Sequence, residues 1–329
     1  LSLEEEWYDA PRVAGLDHDP AAERLAKALY RGLTASQRSE ICFPWDYRDA
    51  TRGLLRSFIA NHWQVTRPCV RSDFFTPEQR ALIHEIFQNL VDPAWYPRFM
   101  RQLADDTKGH PWGRDQSIAI IGDPDGGPYQ FLFTGRHITL RADGGTCPDI
   151  AFGGPIVYAH AATGYWEKPG HPGNIFWPQA QIAGRLYESL DARQREQAEV
   201  DALPAEPDIG FRAAPQGLCV ATLSPPQKIL FGACLESLMA PFRAAERGRA
   251  RHCIARQGGE DSLHIAYSRA NRISAPEWDV WRIEGPAFVW HFQGYPHVHG
   301  WINIAAAPDI APTNARRGAF IHPEHDPLL

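Results

Sequence analysis

Several signatures are missing from this sequence of 329 residues, and each absence removes a class of function. No Gly-x-Gly-x-x-Gly turn, Walker loop or Gly-x-Ser-x-Gly elbow occurs, so the usual marks of dinucleotide binding, phosphate cradling and serine hydrolysis are absent. No apolar run approaches the roughly 20 residues a helix needs to cross a bilayer, and no membrane span is expected. The six cysteines (Cys42, Cys69, Cys147, Cys219, Cys234 and Cys253) are scattered without a Cys-x-x-Cys pair. That argues against a thiolate zinc knuckle, a haem attachment site and a disulfide scaffold. Basic residues are not in excess: 33 Lys and Arg stand against 39 Asp and Glu, a net charge of −6. A nucleic-acid partner would call for the opposite balance.

What is present describes a soluble globular chain with ample core, 44% hydrophobic and 22% charged. The length suits one large domain or two of ordinary size. The 28 prolines and 27 glycines imply many punctuated loops. The sequence opens at Leu1 rather than methionine. An export signal can therefore have preceded it, and the compartment, cytoplasmic or exported, stays open.

Four segments share one local grammar: an apolar residue, then Ser, Thr or Asp as N-cap, then a helical first turn. They begin at Leu33-Thr34, Phe75-Thr76, Leu190-Asp191 and Leu223-Ser224. Pro77 and Pro225 follow two of these caps, at the one helical position where a missing N–H costs nothing. In each half of the chain a helix and two capped helices precede a strand-rich block, Ser117–Arg141 in the first and Leu263–Ile304 in the second. This order predicts an α+β fold, internally duplicated, with two units packed about a pseudo-twofold. The expected division is an N-terminal extension (1–20), a first unit (21–150), a connecting strap (151–179), a second unit (180–306) and a tail (307–329).

The candidate chemistry lies in histidines. His297 and His299 stand at i and i+2 after a strand-like run, so in an extended chain both imidazoles point the same way. Neutral imidazole is the commonest protein metal ligand, but two do not make a site. The first-half strand block ends Phe133-Thr134-Gly135-Arg136-His137. Its aromatic residues fall on odd positions before Gly135 and its apolar ones on even positions after it, which is explained by a glycine bulge re-aiming the chain. His137 is then the first-half counterpart of the His297 region. The set His137, His297 and His299 would hold one transition-metal ion (copper, iron or zinc) with a coordination position left for substrate. The competing reading is three histidines that hydrogen-bond at sheet ends.

The strap is unusually aromatic for a linker, which points to a functional loop closing a pocket. Its polar residues include His160, Tyr165, Glu167, Lys168 and His171. His160, Glu167 and Glu284 are candidates for acid–base work, and Arg136, Tyr165, Lys168 and Tyr295 for substrate contact.

The order of capped helices, Phe-Thr-Gly-Arg-His137, Phe-Gly-Gly-Pro155, further capped helices, Glu-Gly-Pro286 and His297-Val-His299 resembles the domain-of-unknown-function family 3500, from about Ala21 to about Ala306. The family's pattern at the first of these reads Phe-Ser/Thr-Gly-His-His, so Arg136 stands where it has a histidine. After His-x-His it has a small residue, an aromatic and Arg-Asp, whereas Gly300-Trp301 is followed here by Ile302-Asn303. The resemblance implies one fold across this span and a shared role for the three histidines, and no reaction. The expected function is a metal-dependent enzyme acting on a small molecule, by redox or oxygen chemistry. The alternatives are a zinc-type hydrolase and a non-enzymatic small-ligand-binding protein.

Overall fold

A computed structural model describes residues 22–143, 146, 147, 149–160, 173, 175–206, 209–270, 280–294 and 297–310. Its first half runs α1 (Ala22–Gly32), α2 (Ala35–Ile41), β1 (Cys42–Phe43), β2 (Arg48–Asp49), β3 (Gly53–Leu54), α3 (Pro77–Leu90) and α4 (Tyr96–Asp106). Four strands follow: β4 (Ser117–Gly122), β5 (Tyr129–Gly135), β6 (Ile138–Ala142) and β7 (Ile156–His160). The second half runs α5 (Trp177–Ser189), α6 (Ala192–Ala198), β8 (Glu199–Val200), β9 (Leu218–Cys219), α7 (Pro225–Met239) and α8 (Ala244–Arg256). It ends in β10 (His264–Ser268), β11 (Val280–Gly285), β12 (Phe288–Gln293) and β13 (Val298–Ile304). The fold is mixed α+β.

The helix starts follow from their caps. Thr34, Thr76 and Asp191 each accept a hydrogen bond from the backbone of the glutamine three residues on, and that glutamine's side chain returns to the cap N–H. These glutamines also pair with one another. Gln37 Nε2 donates to Gln79 Oε1 at 2.8 Å, and Gln79 Nε2 reaches Gly32 O at 2.9 Å. In the second half Gln194 Nε2 donates to Gln227 Oε1 at 3.0 Å, and Gln227 Nε2 reaches Ser189 O at 2.8 Å.

The main sheet has eleven strands among the described residues, in the order β1-β4-β5-β6-β7-β13-β12-β11-β10-β8, with β9 beside β10. The short outer strands β1 and β8 run parallel to β4 and β10; the other neighbours are antiparallel. Alternation sorts the side chains. Tyr129, Phe131 and Phe133 of β5, Phe288, Trp290 and Phe292 of β12, and Val298, Ile302 and Ile304 of β13 share one large core with the helices. The opposite face is covered by irregular chain. Leu55, Phe58, Ala60 and Trp63 pack on Ala119 and Leu132, while Ile59 and Ile209 pack on Val157, Val289 and Trp301.

Two expectations are corrected. Gly135 is not a bulge: β5 and β6 pair through Gly135 and Ile138, leaving Arg136 and His137 as the two residues of a hairpin turn. The parity changes because the chain reverses. The stretch expected to be a connecting loop also contains β7, which pairs with β13 from Ile156–Ile302 to His160–Val298 and joins the two halves of the sheet. Gly300 lets this pairing close, since a Cβ there would lie 2.6 Å from the Tyr158 ring.

Candidate metal centre

The register brings three imidazoles to one end of the β6–β7–β13 seam. His137 occupies the β5–β6 turn with φ of 56°, a left-handed conformation that histidine adopts more readily than most residues. Three backbone bonds hold it there. Its N–H donates to Asn61 O at 2.7 Å, and its carbonyl accepts from Ala159 N at 2.9 Å and from Gln102 Nε2 at 3.2 Å. His297 precedes β13 and His299 lies within it, on the loop-covered face beside Trp301.

The Nε2 atoms converge. His297 Nε2 lies 3.2 Å from His137 Nε2 and 2.6 Å from His299 Nε2, and one nitrogen from each ring falls within 4.8 Å of the others. Two nitrogens bound tetrahedrally at about 2.0–2.1 Å would stand about 3.3 Å apart, which the His297–His137 spacing matches and the His297–His299 spacing falls short of. The outer nitrogens are oriented by carboxylates. His137 Nδ1 donates to Asp106 Oδ2 at 3.0 Å, and His299 Nδ1 donates to Glu206 Oε1. A carboxylate fixes the Nδ1–H tautomer and leaves Nε2 as a lone pair, the arrangement that serves metal-binding histidines. With lone pairs on both His137 and His299, a proton on His297 Nε2 can satisfy only one of them, and Asn61 Nδ2, 3.1 Å from His299 Nε2, can donate to the other. An ion at the centre would take all three nitrogens at once.

Burial keeps the His137 and His297 rings neutral. All three histidines are less than a tenth exposed. Desolvation, followed by the electrostatic influence of the adjacent His299 and of Arg136, holds His137 well below the ordinary histidine range. The same burial, with His299 and His137 beside it, brings His297 down to about 2. Neutral imidazoles are the ligand form, so protons compete weakly here.

The other expected site residues divide. Arg136 is half-buried, bridges to His62, and adds positive charge near His137 and His297. His160 ends β7 opposite Val298, fully buried on the helix side, its Nε2 4.0 Å from Asp105 Oδ2. Glu284 is not brought to the cluster by its strand. It binds Arg282 at 2.8 Å, accepts from Gln216 N at 3.1 Å, and lies in the ladder row that meets β13 at Asn303. Tyr165, Glu167, Lys168, His171 and Tyr295 lie outside the described residues.

Four polar residues around the cluster escaped sequence reasoning: Asp106, Gln102, Glu206 and Asn61. Asn61 Nδ2 stands 3.1 Å from His299 Nε2. Gln102 and Asp106, one helical turn apart at the end of α4, carry no distinguishing pattern. Glu206 and Asn61 come from the irregular segments that cover the sheet.

A buried three-histidine cluster backed by carboxylates defines this as a candidate metal-binding fold. The model of one protein family, described as "Protein of unknown function (DUF3500)", matches residues 18–307, and the chain belongs to that family. No curated protein and no solved structure matches it.

Proposed function

We propose that this chain is a metal-dependent enzyme acting on a small molecule, with the ion held by Nε2 of His137, His297 and His299. The observation that carries the reading is the convergence of three buried Nε2 atoms, two of them on rings whose Nδ1 is held by a carboxylate. A bound copper, iron or zinc ion would supply Lewis acidity and, for copper or iron, electron transfer. Asp106 and Glu206 fix ring orientation, and Asn61 limits where a substrate atom can approach His299. Arg136, with Tyr165, Lys168 and Tyr295, is the proposed substrate-binding set.

Redox or oxygen chemistry is favoured over hydrolysis by the placement of acids. Among the described residues the carboxylates that bind the cluster are both engaged at imidazole Nδ1, facing away from the converging nitrogens. A hydrolytic reading needs a base on the open side, a role left to Glu167. The test is elemental analysis of untagged protein purified at about pH 8, with electron paramagnetic resonance on the oxidised form. One equivalent of copper or iron supports the reading. One equivalent of zinc moves the chain to the hydrolytic alternative, and no stoichiometric metal removes the site.

We further propose that the chain is internally duplicated, with β7 counted in the first unit. The support is the matched element order, the mirrored strand order about β7 and β13, and the two glutamine pairs. In addition, Gln102 and Asp106 at the end of α4 hold the β5–β6 turn, as Gln257 after α8 holds the β11–β12 turn at Ala287. On this reading His137 corresponds to the turn at Pro286-Ala287, rather than to the His297 region, so only one end of the seam carries ligands. Failure of β4–β7 to superpose on β10–β13 would refute it.

A further inference from the structure

On the sheet face that carries His299, a second polar group is buried without compensation. Gln130, Arg141 and Asn303 point to the loop-covered side, because their strand neighbours Phe131, Leu140, Ala142, Ile302 and Ile304 all belong to the helix-side core. Each is at most 3% exposed. Gln130 Nε2 donates to Gly153 O, and a Cβ on Gly153 would lie 3.1 Å from Arg141 Cβ, so these two side chains meet over one glycine. Arg141 Nη2 donates to Phe58 O in the covering segment. Among the described residues, Arg141 Nε and Nη1, Gln130 Oε1 and both amide atoms of Asn303 have no hydrogen-bond partner.

The charge is as isolated as the hydrogen bonds. Arg282, also buried, pairs with Glu284, and the half-buried Arg249 pairs with Asp143 and Glu246. Arg141 forms no ion pair among the described residues, and burial alone brings its guanidinium down to about 9, still charged at neutral pH. A buried cation without a partner is strongly unfavourable, and buried unpartnered polar atoms call for a water or an ion.

We propose that Arg141, Gln130 and Asn303 bind a small oxyanion of carboxylate or bicarbonate type. Its negative oxygens would take the free guanidinium donors, while Gln130 Oε1 accepts from a hydroxyl or an ordered water; Asn303, across β7 on the same face, would donate to the anion from β13. The position is distinct from the histidine cluster. Asn303 is four residues along β13 from His299, roughly 13 Å of extended chain, with Trp301 between them on the same face. An anion here ties the segment containing Phe58 to the sheet, and the same segment delivers Asn61 to His299.

The experiment is thermal unfolding in sodium formate, acetate or bicarbonate against chloride at one ionic strength, with wild type, Arg141→Met, Asn303→Leu and His299→Ala. The expected result is a saturable rise in Tm with at least one oxyanion, about 4 °C at a hundredfold excess over Kd. It should vanish in Arg141→Met, weaken in Asn303→Leu and persist in His299→Ala. A Tm that varies alike and without saturation for all four salts means that only water occupies the pocket and overturns the proposal. Loss of the effect in His299→Ala moves the anion to the metal centre and overturns it equally. If Arg141→Met does not fold, Asn303→Leu decides, and an undiminished oxyanion response in that variant refutes the site.

Discussion

Replacing Asp106 by Asn changes one charge and almost no volume, which makes it the sharpest probe of how the histidine cluster is built. Asp106 Oδ2 accepts from two donors, His137 Nδ1 at 3.0 Å and Gln102 Nε2 at 3.2 Å. An asparagine Oδ1 in the same place can accept both, so the turn carrying His137 should stay where it is. What is lost is the negative charge behind the ring, which raises the basicity of Nε2 and offsets the charge of a bound cation. Removing such a partner typically lowers metal affinity about 10–100-fold, or about 1.4–2.7 kcal/mol. The measurement is competition with a chromophoric chelator at about pH 8, where the imidazoles are neutral, with circular dichroism to verify the fold. His137→Ala should lose more than Asp106→Asn, because a ligand and not its support is gone. Unchanged affinity in Asp106→Asn beside a large loss in His137→Ala would show that the carboxylate plays no part in metal binding. Full occupancy in both variants would exclude His137 from the site.

Further expectations follow from other parts of the molecule. Glu206→Gln should lower metal affinity by a similar factor through His299, and the double variant with Asp106→Asn shows by chelator competition whether the two supports act independently. The metal-free protein should lose stability as pH falls below about 6.5, the unfolded histidine value, because burial keeps His84 (about 4), His137, His291 and His297 (about 2) unprotonated in the fold while the unfolded chain takes up protons. Each contributes up to about 1.4 kcal/mol per pH unit between its two values, and a urea midpoint flat from pH 8 to pH 5 would contradict the burial argument. Gln79→Ala removes the acceptor of the Thr76 N–H in the capping box of α3, the bond to Gly32 O and the partner of buried Gln37, and should cost about 2–4 kcal/mol by urea unfolding. Gly300→Ala forces a methyl against the buried Tyr158 ring and should cost about 1–3 kcal/mol while disturbing the neighbouring His299, read as weaker metal retention on gel filtration.

The cap-and-glutamine pattern was legible because an N-cap and its reciprocal partner sit three residues apart, well within a sequence window. The strand blocks were legible through aromatic and β-branched alternation. The change of parity at Gly135 was visible, but a two-residue turn and a bulge leave the same trace in sequence, and only the Gly135–Ile138 pairing separates them. β7 went unseen because Ile156–His160 is short and flanked by Gly-Gly-Pro and a loop-like composition; its strand character comes from β6 and β13 on either side. The convergence of His137 with His297 and His299 was inferred from residue type and spacing. Asp106, Glu206 and Asn61 had no such signal, since each reaches the cluster through tertiary packing of segments that are distant in the chain.

The pairing of β7 with β13 has a consequence for synthesis. On the ribosome β7 emerges about 140 residues before the strand that will cover it, a delay of roughly 7–30 s at ordinary elongation rates. Throughout that time Ile156–His160, every residue of which is destined to be buried, is the free edge of a sheet. An open apolar edge recruits strands from other nascent chains. The protein therefore passes through a stage at which holding chaperones, rather than final stability, set its yield. A substitution that merely slows the arrival of β13 should appear as aggregation during expression and leave the purified protein unchanged.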